Sequence, residues 1–401
     1  MRQSFLVFGS PLIEEEEIQE VVATLRSGWL GTGPKVHQFE EMFREYTGAR
    51  HAMALHSCTA ALHLSLVAAG IGSGDEVITT PMTFAATANS IVHAGGIPVF
   101  VDIELPSMNI DPQKIVEYIE TQCSIDERSG LPVNRESGRK VRAIIPVHMA
   151  GRPCRMDEIL EIARRYNLYV IEDAAHAIES RYRGRKIGNI GDLTCFSFYV
   201  TKNIVTGEGG MVTTNNDEFA SKIKTYGLHG LSKDAWMRYS DKGFKHYQVL
   251  YPGFKYNMMD IQASLGIHQL KRVEKNLARR REIWQMYDRA FAGLPFELPA
   301  SVSEEGMIHA LHLYTPLLKT EEAGMTRDEL QQQLYDMKIG TGIHFTTLHL
   351  HPYYQTTYGF RKGDFPNAEY VSERTISLPL SARLSDRDVQ DVIESVTRML
   401  E

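Results

Sequence analysis

A single lysine, Lys202, stands between an aromatic, strand-like run and a glycine-rich loop in FSFYVTKNIVTGEGG, residues 196–210. An isolated amine in that setting suits covalent capture of a carbonyl, provided burial keeps it neutral. A carboxylate comes earlier in the chain: LYVIEDAAH, residues 168–176, carries an apolar run up to Asp173. The third element is HSCTAALHL, residues 56–64, where Ser57, Cys58 and Thr59 open a helical pattern and present hydroxyls and free backbone N–H groups, the makings of a phosphate site. Each alone has a plain structural reading, Asp173 with Lys202 as an ion pair and Ser57 as a helix cap. Together they describe a site for pyridoxal 5′-phosphate (PLP). The amine condenses with the aldehyde, the carboxylate holds the pyridine nitrogen protonated and the helix terminus anchors the phosphate. On this reading the glycines after Lys202 let the backbone pass close to the cofactor.

Such residues need a scaffold that gathers strand ends. From about residue 50 to residue 215, apolar runs alternate with amphipathic helical patterns: HAMALHS (51–57), EVITT (76–80), IPVFVDI (97–103), VRAIIPVHM (141–149), LYVIE (168–172) and LTCFSFY (193–199). This βαβ rhythm predicts an α/β fold with a mostly parallel sheet covered on both faces and ligand loops at the carboxyl ends of its strands. The polar stretch SIDERSGLPVNRESGRK (124–140) breaks the rhythm and is expected to be a solvated excursion without assigned function. After residue 216 the pattern predicts a helix through Lys224, an irregular loop from Leu228 to Lys255 and one long helical stretch from about Met258 to Phe291. Beyond it HALHLYTPLLK, DELQQQLYDMK, GTGIHF and SDRDVQDVIESVTRML predict a smaller α+β domain, its last helix capped by Ser385. The expected division is a large domain with an N-terminal arm over residues 1–255 and a small C-terminal domain over 256–401 that includes the linking helix.

Composition narrows the classes. The 401 residues are 43% hydrophobic and 23% charged, ordinary for a globular chain long enough for two packed domains. Forty-three Lys+Arg against 50 Asp+Glu give −7 with no basic run, which speaks against nucleic acid. No apolar run is long enough for a bilayer, and MRQSFLVFGSPLIEEEE meets four glutamates too early for a signal peptide, so the expected address is the cytoplasm. Cys58, Cys123, Cys154 and Cys195 lack CxxC spacing, which suggests neither disulfides nor zinc. His344, His349 and His351 have no acidic ligand near them in sequence, so no metal is expected. No GxGxxG follows the first strand, which opposes a nicotinamide enzyme, and the N-terminus lacks the basic helix-turn-helix of a PLP-sensing regulator.

The combination of SFYVTKNIVTGEGG, IEDAAHA, SCTAALHL, SGWLGTGPK and PGFKYNMMDIQASLG resembles the DegT-type nucleotide-sugar aminotransferases, PLP-dependent enzymes of fold type I, the aspartate aminotransferase fold. The resemblance spans nearly the whole chain, the 124–140 insert excepted. Through SGWLGTGPK, LHGLSKDAWMRY and IGTGIHF it is strongest to the members that make UDP-4-amino-4-deoxy-L-arabinose. It implies a mostly parallel seven-stranded sheet between helices and a small C-terminal α+β domain. It also implies ping-pong transfer of an amino group from glutamate, leaving 2-oxoglutarate, to a keto group of a nucleotide-linked sugar, at carbon 4 with carbon 3 as the alternative. Lys202 would be the covalent lysine and proton carrier, Asp173 the partner of the pyridinium nitrogen, and His176 a neighbour of the ring oxygen or of Asp173. Phe84 would lie on the ring face, where many relatives carry tryptophan. Ser57, Cys58, Thr59 and Ser197 would surround the phosphate, with Cys58 where glycine or serine is usual. Asn257 would complete that site from the partner subunit of a homodimer, and Thr32, Lys233, Trp236, Arg238 and His344 would meet the sugar nucleotide. A sugar dehydratase on the same scaffold carries histidine in place of the lysine, so Lys202 opposes that reading.

Overall fold

The computed structural model describes residues 2–232, 247–300 and 305–400. Two amphipathic helices, α1 (Glu15–Ser27) and α2 (Pro34–Thr47), lead into β1 (His51–Leu55). The alternation that follows is α3 (Cys58–Ala68), β2 (Asp75–Thr79), α4 (Ala85–His93), β3 (Ile97–Phe100), α5 (Pro112–Gln122), β4 (Cys123–Ile125), β5 (Pro132–Asn134) and β6 (Lys140–Ile144). It continues with α6 (Met156–Arg165), β7 (Tyr169–Asp173), the short pair β8 (Arg181–Tyr182) and β9 (Arg185–Lys186), β10 (Leu193–Ser197), β11 (Gly210–Thr214) and α7 (Asp217–Tyr226).

The main sheet has nine strands rather than the seven expected: seven run in the order β1-β11-β10-β7-β6-β2-β3, and β4 and β5 extend it beside β6. β10, β7, β6, β2 and β3 pair in parallel, while β11 is antiparallel to both β1 and β10. Strands covered on both faces are buried throughout: all five residues of β11 (GMVTT) are, and so are all five of β2 (DEVIT), including its two acidic residues. α3 sits against β10, β11 and β7 and is buried along nearly its whole length, so it is apolar all round and carries no amphipathic stripe.

One expectation is refined and one corrected. The 124–140 stretch is largely exposed, as expected, but it is not irregular: β4 and β5 form an antiparallel hairpin that joins the sheet through β5 and β6, Val133 opposite Lys140. The hairpin is held because Leu131 is buried in the main core and because the buried carboxylate of Glu76 accepts from Tyr118 Oη at 2.8 Å and Ser137 Oγ at 2.9 Å. The long C-terminal helix is two helices, α8 (Asp260–Lys271) and α9 (Val273–Phe291), separated by Arg272 at φ −113°, ψ 12°. The guanidinium of Arg272 is drawn to Glu17 and to Glu14, the latter at 3.3 Å, and the chain changes direction there. Met258, Ala263, Ile267 and Val273 therefore join the core beneath the sheet, while Leu277, Ile283, Tyr287 and Phe291 join a second core.

That second core is closed by β12 (Phe296–Glu297), β13 (Leu317–Leu318), α10 (Thr320–Ala323), α11 (Arg327–Asp336) and α14 (Asp386–Leu400), while α12 (Pro352–Tyr358) and α13 (Pro366–Arg374) put Tyr354, Ala368 and Val371 into a separate cluster with Met82, Phe100 and Met149. Ser385 caps α14 as its sequence suggests, its Oγ accepting from the Asp388 N–H at 3.2 Å. The N-terminal segment also belongs here: the Leu6 N–H donates to the Lys338 carbonyl at 2.8 Å, and the Leu6 side chain is buried in this core.

Candidate active site

β7 and β10 are parallel neighbours, with Cys195 opposite Asp173, so the loops after them open on the same edge. Asp173 ends β7 and is buried. Its Oδ2 accepts from Thr87 Oγ1 at 2.8 Å and its Oδ1 from the Ala175 N–H at 3.1 Å. Burial raises its pKa, against the opposing pull of these two hydrogen bonds and of Lys202. Lys202 follows β10 in a turn closed by its own N–H to the Tyr199 carbonyl at 2.8 Å. Burial lowers its ammonium pKa to about 8, although Cys58 and Asp173 act in the other direction. Both side chains line one cavity of about 600 Å³.

The floor of that cavity is the start of α3. Ser57 is the N-cap and its Oγ accepts from the Ala60 N–H at 3.1 Å, leaving the first-turn N–H groups of Cys58 and Thr59 outside the helical ladder. Ser57, Cys58, Thr59 and Ser197 all line the cavity, so the structure brings these four together. The Cys58 thiol is pushed well up by burial and is a neutral group. Of the glycines after Lys202, Gly209 lines the cavity, whereas Gly210 meets backbone. A Cβ on Gly210 would lie 2.4 Å from the Ser57 carbonyl carbon and 2.6 Å from the Cys58 nitrogen. The backbone of the Ser57 turn thus demands a bare Cα at Gly210.

Three imidazoles surround the amine. His176 and His312 rings lie 4.4 Å apart, and His176 is stacked within 16° of Phe345 at 6.2 Å. Burial, followed by the charge of Lys202, drives His176 and His312 well below the usual histidine range and His344 to about 3, so all three are neutral. His176 does not start a helix; it lies among the turns after β7, its Nδ1 buried with no hydrogen-bond partner among the described residues. His344 lines the cavity and shares a 2.7 Å hydrogen bond with Ser377 Oγ. Phe84, at the N-cap of α4, is 64% exposed at the mouth, its ring 6.1 Å from Phe345.

Sequence reasoning missed Thr87, in the first turn of α4, and the chain behind the site. His312 Nδ1 is 2.9 Å from Asn203 Oδ1, Asn203 Nδ2 donates to Glu179 Oε2 at 2.8 Å, and Glu179 is paired with Arg280 of α9. The Asn203 carbonyl can only accept, so His312 carries its proton on Nδ1. The available signals were a histidine inside the apolar run HALHLY and an asparagine beside the lysine.

Not every residue comes together. Asn257 and Thr32 touch each other, Asn257 Nδ2 to Thr32 Oγ1 at 2.6 Å, but line two adjoining cavities, of about 330 and 940 Å³, distinct from that of Lys202. Lys233, Trp236 and Arg238 lie outside the described residues. His349 does have an acidic neighbour in space: its Nε2 is 2.8 Å from Glu369 of α13, both buried. His351 is exposed.

The residues present fit PLP. A buried carboxylate whose pKa is raised by burial gains a partner in a pyridinium. Free first-turn N–H groups suit a phosphate, an amine with a pKa of about 8 suits carbonyl capture, and the unpartnered His176 Nδ1 is left for a ligand. Known proteins agree. An uncharacterised protein of Methanocaldococcus jannaschii is 52% identical over 400 residues, covering 100% of this chain and 99% of that one. A spore coat polysaccharide biosynthesis protein of Bacillus subtilis strain 168 is 50% identical, covering 98% of this chain and 97% of its own. Among solved structures, a sugar aminotransferase candidate of Streptococcus pneumoniae in its PLP form superposes with a TM-score of 0.85 at 32% identity over 99% of this chain and 100% of that one. The DegT/DnrJ/EryC1/StrS aminotransferase family model matches residues 11–397; the chain belongs to that family and is a PLP-dependent sugar aminotransferase.

Proposed function

We propose that the enzyme transfers an amino group from glutamate to the carbon-4 keto group of a nucleotide-linked sugar, as a cytoplasmic homodimer whose two sites are shared. The observation that carries the chemistry is the single cavity lined by both Lys202 and Asp173, with the Lys202 pKa at about 8. Bound PLP supplies an aldehyde for amine capture and a cationic ring that withdraws electrons. Lys202 Nζ, neutral for a useful fraction of the time near pH 8, takes up and returns a proton at the reacting carbon. Asp173, fixed by Thr87 and Ala175, faces the ring nitrogen and stays ionised against a cation. The first turn of α3 binds the phosphate. His176 and His344 stay neutral, so they hydrogen-bond ligand oxygens without repelling the ring, and Phe84 covers the mouth against water.

Support for a shared site comes from Asn257 and Thr32, which face away from the Lys202 cavity of their own chain, and from the exposed Trp29, Leu30 and Met259 around them. Residues of those types, exposed together, favour burial against a second copy. Carbon 4 rests on the HGLSKDAW stretch, and cytoplasmic residence is consistent with four buried, unpaired cysteines. The test is a mass-spectrometric screen of 4-keto and 3-keto nucleotide sugars with glutamate. The reading predicts amination of a 4-keto substrate and formation of 2-oxoglutarate; amination of 3-keto sugars alone overturns the position, and no turnover with glutamate overturns the donor.

A further inference from the structure

The N-terminal segment is fastened at both ends. Arg2 pairs with Asp388 and Asp391 of α14 at 2.8 and 2.7 Å, and the Leu6 carbonyl accepts from the Gly340 N–H at 2.9 Å. Further along, the Leu12 carbonyl accepts from Gln269 Nε2 of α8 at 2.8 Å. Between these anchors the chain passes the candidate active site and touches it twice. The Phe8 ring lies 5.7 Å from the His344 ring, tilted by 36°. Both rings crowd Gly342, where a Cβ would come within 3.2 Å of Phe8 Cε1 and 3.0 Å of His344 Cε1, so the two rings and that bare Cα share one filled space. Gly9, at φ +69°, comes next: a Cβ there would lie 3.0 Å from Thr201 Cγ2, and Thr201 directly precedes Lys202.

We propose that residues 6–12 form a strap in which Phe8 and Gly9 are positioning residues, holding the His344 ring and the Lys202 turn from behind. The inference rests on the reading of Lys202 as the amine that captures PLP. His344 needs such support. Among the described residues its ring has one hydrogen bond, to Ser377 Oγ, and a ring held at one atom can swing about it; ring contacts with Phe8, His176 and Phe345 limit the swing. The Lys202 turn is equally short of anchors, being closed by its own N–H to the Tyr199 carbonyl. Gly9, Ser10 and Pro11 face Thr201, Lys202 and Asn203 across a cavity of about 30 Å³, room for one or two waters. Phe8, wedged against His344 and Gly342, keeps the next residue on Thr201. Displacing the strap opens that narrow space to bulk water, which favours the charged form of the amine over the neutral one.

The test is capture of PLP by the full-length apo-enzyme, followed by stopped-flow absorbance over about pH 7–10, the range in which a depressed and an ordinary lysine titrate, with the thermal melt of each variant recorded alongside. Wild type is expected to show a midpoint near 8. Phe8→Ala is expected to raise it by about one pH unit, equivalent to about tenfold slower capture near neutral pH, and Phe8→Leu to bring it back. If Phe8→Ala does not fold, Gly9→Ala carries the same comparison, and its shift is expected to shrink in a Thr201→Ser background, which removes the methyl group it strikes. A midpoint that stays near 8 in a folded strap variant, or an equal shift in Phe8→Ala and Phe8→Leu, overturns the inference; a lower melting temperature alone does not move the midpoint. Lys202→Met separates the two levels. If it gives the wild-type absorbance change, the reading of Lys202 fails, and if it gives none while the strap variants keep the wild-type midpoint, only the role of the strap fails.

Discussion

Thr87 Oγ1 donates to Asp173 Oδ2 at 2.8 Å, and because that proton is committed, the 2.7 Å contact between Thr83 and Thr87 is a donation from Thr83. A two-hydroxyl relay, from Thr83 just before α4 to Thr87 in its first turn, thus orients the carboxylate at the end of β7. It opposes the burial that raises the Asp173 pKa.

Thr87→Val removes the relay without opening space. The expected result is a loss in kcat of about tenfold or more, the range for one hydrogen bond to a charged group, while PLP remains bound. Steady-state kinetics together with cofactor content check it.

Lys202 titrates near 8 in the folded protein, against 10.5 for an unperturbed lysine. A depressed lysine pKa means that the unfolded chain binds more protons between these two values, so apo-enzyme stability rises with pH across that window and the penalty is fully present below it. Relative to Lys202→Met, wild-type apo-enzyme is expected to gain thermal stability from about pH 8 upward. Capture of PLP by the apo-enzyme is expected to accelerate over pH 7–9 with a midpoint near 8, measured by stopped-flow absorbance.

Glu179 and Arg280 are a buried pair whose remaining hydrogen bonds reach Asn203, the Ala310 carbonyl and the Leu311 carbonyl. Arg280→Met strands the carboxylate and is expected to cost about 3–5 kcal/mol in denaturant unfolding. Asn203→Leu also frees His312, so its loss is expected to appear in turnover as well as in stability.

Gly210→Ala drives a methyl group into the backbone of Ser57 and Cys58. Overpacking of this kind costs about 1–3 kcal/mol. Because the displaced atoms form the end of the cavity proposed to hold the phosphate, PLP affinity is expected to fall more than pyridoxal affinity.

The parallel sheet was legible because buried strands are long enough to stand out as apolar runs; β7 and β10 could be placed, and with them Asp173 and Lys202. The β4–β5 hairpin was hidden because its contacts are made by polar side chains reaching Glu76 from a distant strand, which leaves charge and glycine as the local signal. Arg272 looked helical by type, and only its ion pairs with α1 explain the break between α8 and α9. Thr87 and His312 were unreadable for a related reason: each acts on a residue remote in the chain, and neither spacing nor composition records such a meeting. Gly210 was noticed, but its reason lies in a backbone more than a hundred residues away.

Reduction of the purified, PLP-loaded enzyme with borohydride, followed by peptide mapping, tests the central claim most directly. The account predicts that the cofactor is fixed to one peptide, at Lys202, and that Lys202→Ala yields no adduct while retaining bound PLP. A cofactor fixed to another lysine, or full turnover by the Lys202→Ala enzyme, would contradict it.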